Sequence, residues 1–148
     1  MKRTSALRLL VAGLLVNVFA CSLQQMTEKD VTGDYEARLP DGGTEVLQLR
    51  PDGTCRQIIR LQNGKQYDAV GTWRLRREAE LFPDGHRVET GGYTLDFKYI
   101  RETLTATGEI DPGITQPSLN IISTPVSRSL TGRIKIMLGE NVDYYKRN

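Results

Sequence analysis

Hydrophobic and polar residues alternate along the chain from residue 33 onward with the two-residue period of β-strands. Tyr35, Ala37 and Leu39 share one face, with Asp34, Glu36 and Arg38 opposite; Leu47 and Leu49 stand against Gln48 and Arg50. Cys55, Ile59 and Leu61 then oppose Arg56, Ile58 and Arg60. In the next segment Tyr67, Ala69, Gly71, Trp73 and Leu75 oppose Asp68, Thr72, Arg74 and Arg76. Each set describes a half-buried strand with one face toward a core. Val70 and Ile58 are apolar residues on the outer face, where single hydrophobic side chains are tolerated.

Turn chemistry separates these segments. Pro-Asp-Gly occurs at Pro40-Asp41-Gly42, Pro51-Asp52-Gly53 and Pro83-Asp84-Gly85, and Asn63-Gly64 lies between the third and fourth segments. Proline presets φ, Asp or Asn bonds back to the backbone, and Gly accepts positive φ. Tyr93, Leu95, Phe97 and Tyr99 alternate with Thr94, Asp96 and Lys98. Leu104–Glu109, Leu119–Ile122, Arg133–Leu138 and Val142–Lys146 read as further strands, and Ser123–Thr131, with Pro125, as a loop or irregular edge. No segment shows twelve residues of helical period, although one helical turn fits Thr27–Asp30. The prediction is an all-β fold: an antiparallel meander of about eight strands, closed or nearly closed into a small barrel, which also removes exposed sheet edges.

The chain starts differently. Met1–Arg8 carries Lys2, Arg3 and Arg8 and no acid, and Leu9–Phe19 is apolar except for Asn17. This charged region followed by a short apolar one is too short to span the roughly 30 Å hydrocarbon core of a bilayer, and reads as a signal helix. Val18-Phe19-Ala20-Cys21 resembles the lipobox of bacterial lipoproteins. The resemblance implies cleavage between Ala20 and Cys21, a diacylglycerol (and often a further acyl chain such as palmitate) on Cys21, and a membrane anchor of two or three chains. Ser22 stands where that family's inner-membrane retention signal has Asp, which implies the periplasmic face of the outer membrane in a Gram-negative host. The organisation expected is therefore a signal peptide over 1–20, a lipidated cysteine and polar tether over 21–32, and a barrel over 33–148.

Composition changes the picture mainly through that leader. Of 148 residues, 20 are Lys or Arg and 18 are Asp or Glu; without the leader's three basic residues the remaining 128 carry a net charge of −1. Nucleic acid, which needs a basic patch to displace counterions, is not an expected partner. With Cys21 acylated, Cys55 has no cysteine to pair with, which excludes a disulfide scaffold and favours a buried thiol. Arg56 is adjacent in sequence but lies on the opposite face of the strand, so it does not activate the thiol.

Gly33-Asp34-Tyr35, Leu39-Pro40, Leu47-x-Leu49, Asp52-Gly53-Thr54 and Gly71-Thr72-Trp73 together resemble the small lipocalin-like envelope barrels, nearest to the N-terminal domain of the NlpE-type copper-resistance and surface-sensing lipoproteins. After Leu-Pro that family carries a Cys-x-x-Cys pair, whereas this chain has Asp41-Gly42-Gly43. What the resemblance implies is architecture and envelope location, without the family's metal and redox chemistry.

Catalytic chemistry has no constellation behind it. His86, the only histidine, sits beside a Pro-Asp-Gly turn; there is no Gly-x-Ser-x-Gly elbow and no metal-ligand spacing, so neither a catalytic residue nor a metal or other cofactor is expected beyond the lipid on Cys21. Tyr35, Leu49, Cys55, Trp73 and Leu95 lie on inward faces, where they either fill a core or line a cavity. Tyr99 and Tyr145 are candidates for an interface, because Tyr is enriched at protein contacts and alternation places at least one of Tyr144 and Tyr145 outside. Two functions fit these features. The first is a lipid-anchored, non-enzymatic protein-binding, sensing or inhibitory module that contacts an envelope protein. The alternative is a lipocalin-like carrier of a small apolar ligand.

Overall fold

The computed structural model describes residues 25–105, 107–137 and 142–147; Ala20, Cys21 and the rest of the expected leader lie outside them. A four-residue helix, α1 (Glu28–Val31), precedes eight antiparallel strands: β1 (Gly33–Arg38), β2 (Thr44–Leu49), β3 (Thr54–Arg60), β4 (Gln66–Leu81), β5 (Arg87–Lys98), β6 (Ile122–Arg128), β7 (Ile134–Met137) and β8 (Asp143–Lys146). Each strand pairs with the next, and β8 returns to β1 through Tyr35–Lys146 and Glu36–Tyr145, so the all-β meander is a closed barrel.

One turn design recurs. In the hairpins beginning at Leu39, Arg50, Leu61, Phe82 and Ser129, the first residue's N–H donates to the carbonyl four positions on. A glycine N–H three positions on donates back to the first carbonyl. Those glycines adopt φ of +80° to +87°, which L side chains rarely do. Asp41, Asn63 and Asp84 each accept a backbone N–H from two residues on, and Asp52 does the same from Thr54. Local chemistry thus sets the register, and the alternating positions deliver the inward side chains.

Those side chains form one main core that includes Tyr35, Leu47, Leu49, Trp73, Leu95, Phe97, Ile136 and Tyr144. Met26 and Val31 belong to it too, although they fall in the stretch expected to be a polar tether. The capping pair Thr27–Asp30 folds α1, with Asp30 Oδ2 accepting from both the Thr27 N–H and hydroxyl at 2.8 Å. The Tyr35 hydroxyl then donates to the Val31 carbonyl at 2.6 Å, and the Met26 N–H donates to the Tyr93 hydroxyl at 3.0 Å. Two inward apolar residues and these two bonds fasten the segment over one barrel end.

The strand directions define both ends. The incoming chain at Gly33, the β2–β3 and β6–β7 turns and the β4–β5 hairpin share the first end. The β1–β2 and β3–β4 turns and the long β5–β6 connection share the other. On the outer wall Asp96 accepts from Arg74, Arg76 and Ser123, tying β4, β5 and β6 together.

Four expectations are corrected beyond Lys98; in one of them, Leu119–Ile122 is not a strand of its own, because only Ile122 belongs to β6. Tyr99 adopts φ 65°, which breaks the alternation that would have placed it beside Phe97; Tyr99 turns outward and Ile100 enters the core. Gly71 permits this, because a Cβ there would strike the Lys98 carbonyl and press on Ile100. Leu104–Glu109 is not a strand: a single Leu104–Ile110 bridge closes a turn within the connection. Conversely, much of Ser123–Thr131 is strand. Pro125 stands opposite Thr94 of β5, one residue before the β6–β7 ladder begins at Val126, where its missing N–H interrupts no described pair with β7.

Removing the buried Tyr35 hydroxyl should loosen α1. Tyr35→Phe leaves the Val31 carbonyl without its donor and should cost about 1–2 kcal/mol in chemical denaturation. Amide exchange should accelerate over residues 26–31 before it does in the strands.

Candidate functional site

The inward residues named from sequence converge on the core rather than on an open cavity. Tyr35, Leu49, Cys55, Trp73 and Leu95 all belong to the main buried cluster, and the Trp73 indole N–H donates to the Arg50 carbonyl at 3.0 Å. Burial pushes the Cys55 thiol up to about 11. Cys55 should therefore resist thiol reagents at pH 8 in the native domain and react at the ordinary rate in denaturant; equal rates would contradict the packing described.

Toward the far end the interior changes character. Glu45 is fully buried, and its Oε1 accepts from the Gln57 side chain at 2.6 Å and from the Tyr144 hydroxyl. The Gln57 amide also makes two bonds to the backbone of Arg101: Nε2 donates to its carbonyl at 3.0 Å, and Oε1 accepts its N–H at 2.7 Å. A side chain thereby pairs with the β5–β6 connection as a strand edge would. Arg101 extends the fastening, donating to the Ile114 and Asp68 carbonyls while its guanidinium lies 5.5 Å from the Tyr67 ring centroid. Ile114, Leu39 and Ile59 form a second small core beneath it, packed by Leu61, Tyr67, Leu104 and Ile110.

The second oxygen of Glu45 has no protein partner. Burial raises this carboxyl above the usual range, against the bonds from Tyr144 and Gln57 that favour the carboxylate. Burial likewise pushes the Tyr144 phenol well above its ordinary value, reinforced by the adjacent carboxylate. Glu45 and Gln57 escaped the apolar reading of β2 and β3, yet alternation marks them: each occupies an inward position, two residues from Leu47 and Cys55 respectively.

Beside this cluster is a pocket of about 180 Å³, bounded by Gln57, Phe97, Thr103, Leu104, Ile122 and Tyr144, among others. Ligand sites for small molecules commonly run from about 300 Å³ upward. None of Tyr35, Leu49, Trp73 and Leu95 borders it.

The outward candidates lie apart. Tyr99 is 52% exposed at the start of the β5–β6 connection, and Leu119 (85%) and Ile121 (49%) are exposed where that connection ends. Ile122 pairs with Phe97, so both chain ends of this apolar patch meet at the same edge of the barrel. Of these three only Tyr99 stands out in the sequence, because Leu119 and Ile121 fall in a segment whose apolar content reads as strand. Tyr145 is exposed on the outer face of β8, three strands around from β5, beside Arg128, Arg133 and Lys146. His86 is exposed in the β4–β5 turn, its ring 6.4 Å from that of Phe82. Among the described residues no three His, Cys, Asp or Glu side chains are grouped to hold a metal ion. Compared with known proteins, the chain matches no family model, no curated protein and no solved structure.

The buried carboxyl should leave a signature in stability. A carboxyl whose folded-state pKa is raised binds its proton more tightly in the native state, so its contribution is whole below about pH 4 and is lost as pH rises. Glu45→Gln should be more stable than the native chain at pH 8, and the gap should close toward pH 4. Denaturant titrations at both pH values measure it; a gap independent of pH would contradict the assignment.

Proposed function

We propose that the chain is a lipid-anchored envelope lipoprotein, held through Cys21, whose barrel is a non-enzymatic protein-binding module. The binding end is the one remote from the anchor, where the Tyr99–Leu119–Ile121 patch is displayed. One observation carries this reading: the interior is filled by core and by the Glu45–Gln57–Tyr144 cluster, while that far end exposes three large apolar side chains on one edge. An aromatic with aliphatic neighbours on a firmly fastened connection is the chemistry of an interface hot spot. The Gln57 and Arg101 bonds hold the connection in place before a partner arrives, which lowers the ordering cost of binding. Sensing or inhibition would follow from the partner engaged. The lipobox resemblance supports an outer-membrane, periplasm-facing location, and nothing in the charge pattern calls for nucleic acid.

The carrier reading keeps one supporting feature, the pocket of about 180 Å³ beside Gln57, Thr103 and Tyr144. It suits a guest of a few heavy atoms rather than a lipid chain.

A photo-crosslinking residue placed at Leu119 or Ile121 in the full chain, expressed in its own envelope, should give one discrete protein adduct. Leu119→Asp with Ile121→Asp should weaken that association by about tenfold or more. Fold stability should change by no more than about 0.5 kcal/mol, because both sites are exposed. Absence of an adduct, together with a small apolar molecule co-purifying with the native domain, would favour the carrier instead.

A further inference from the structure

The strands β4 and β5 do not stop at the barrel rim. Beyond the Arg77–Tyr93 pair they continue as a free ribbon through Ala79–Glu89, Glu80–Val88 and Leu81–Arg87, with a register shift at its base. Arg77 bonds Glu89 there, and Glu78 accepts from Thr94. Arg87–Gly91, Glu80 and Leu81 are exposed, so the outer part of the ribbon stands clear of the described barrel. Its tip carries Leu81 (72% exposed), Phe82 and Val88, and the neighbouring β6–β7 turn carries Leu130, fully exposed.

These tips rise from the end at which the chain enters the barrel. Asp30 of the entering segment pairs with Arg128 at the base of the β6–β7 turn, and Met26 bonds Tyr93 at the base of the ribbon. Cys21 precedes Gln25 by four residues. That length of chain spans at most about 14 Å. The ribbon from Arg77 to Phe82 projects roughly 17 Å at the rise of a strand. An anchor on Cys21 therefore keeps this end within the distance the ribbon covers.

We infer that the β4–β5 ribbon and the β6–β7 turn form a membrane-contact face, with Leu81, Phe82, Val88 and Leu130 entering the lipid surface that holds the Cys21 anchor. The inference rests on the lipidation read from the lipobox. The ribbon's own geometry selects lipid over a protein partner. Glu80 and Val88 share one face and Leu81 and Arg87 the other, so the apolar tip residues point both ways. A docked protein surface covers one face of a ribbon, whereas a fluid interface surrounds both. The turn bearing Leu130 adjoins Arg133, Lys146 and Tyr145, groups suited to headgroup phosphates and to the interfacial zone. Contact at three places, the anchor and two tips, would fix the tilt of the barrel and present its far end to the periplasm.

The test uses the full chain, processed and acylated in a bacterial host, with its lipid confirmed by mass. An environment-sensitive thiol label is placed at Phe82→Cys, Leu130→Cys or Leu119→Cys, the buried Cys55 remaining unlabelled. The proteins are reconstituted in phosphatidylethanolamine–phosphatidylglycerol vesicles with brominated acyl chains. Labels at 82 and 130 should lose about half or more of their emission relative to unbrominated vesicles, and the label at 119 should not. An acylated chain whose label at 82 is unquenched overturns the inference while leaving the anchor intact. A label at 82 that bromolipid leaves bright but native envelope shields from iodide would place a protein on the ribbon, and overturns it equally. A chain with no lipid on Cys21 that fails to float with vesicles overturns the anchor itself, and is recognised before any label is read.

Discussion

The side chain of Gln57 carries the far end of this barrel. It reaches from the inward face of β3 to both backbone polar groups of Arg101 while donating to the buried carboxyl of Glu45. A buried amide satisfied this fully is strongly specifying, because each partner lost would leave another polar group stranded in a low-dielectric interior. Through Arg101 the same lock reaches Ile114 and Asp68. The long β5–β6 connection, which has almost no regular structure, is thereby made part of the domain.

That closure divides the molecule into ends of different chemistry. At one end α1, the entering chain, the β4–β5 ribbon and the β6–β7 turn lie together. At the other the locked connection displays Tyr99, Leu119 and Ile121. Between them Trp73, Tyr35, Leu49 and Leu95 pack as a core. A small eight-stranded barrel has an interior just wide enough for its side chains to fill, and here they fill it except beside the polar cluster. Glu45 is a costly element of that interior, a carboxyl with an oxygen that no described protein atom satisfies. It is balanced by the bonds it accepts from Gln57 and Tyr144, which hold β2, β3 and β8 together.

The architecture was legible in the chain because its instructions are local. Each Pro-Asp-Gly or Asn-Gly turn stops one strand and starts the next, and the two-residue period names the buried face. Legibility failed where a local rule was overridden by tertiary contact. Tyr99 looks like one more inward aromatic, but a left-handed backbone conformation turns it out and admits Ile100 over Gly71. Pro125 reads as a strand breaker, yet it sits where only the β5 ladder is described. Met26 and Val31 are too few to make a periodic signal, and their burial depends on bonds to Tyr93 and Tyr35 far along the chain or on the sheet. Glu45 and Gln57 were marked by position rather than by polarity: a polar residue on an inward face is the sign of a buried network, visible once the face is known.

Hydrogen–deuterium exchange of the acylated protein in its own membranes, compared with the detached domain, distinguishes a structural interior with partners at both ends from an interior that holds a guest. With partners at both ends, new protection should be confined to residues 80–88 and 129–133 at one end and 99–121 at the other, with unchanged slow exchange in the barrel strands. New protection concentrated instead around Gln57, Phe97 and Ile122–Thr124, with both ends unaltered, would mean that a guest occupies the interior, and would rule this arrangement out.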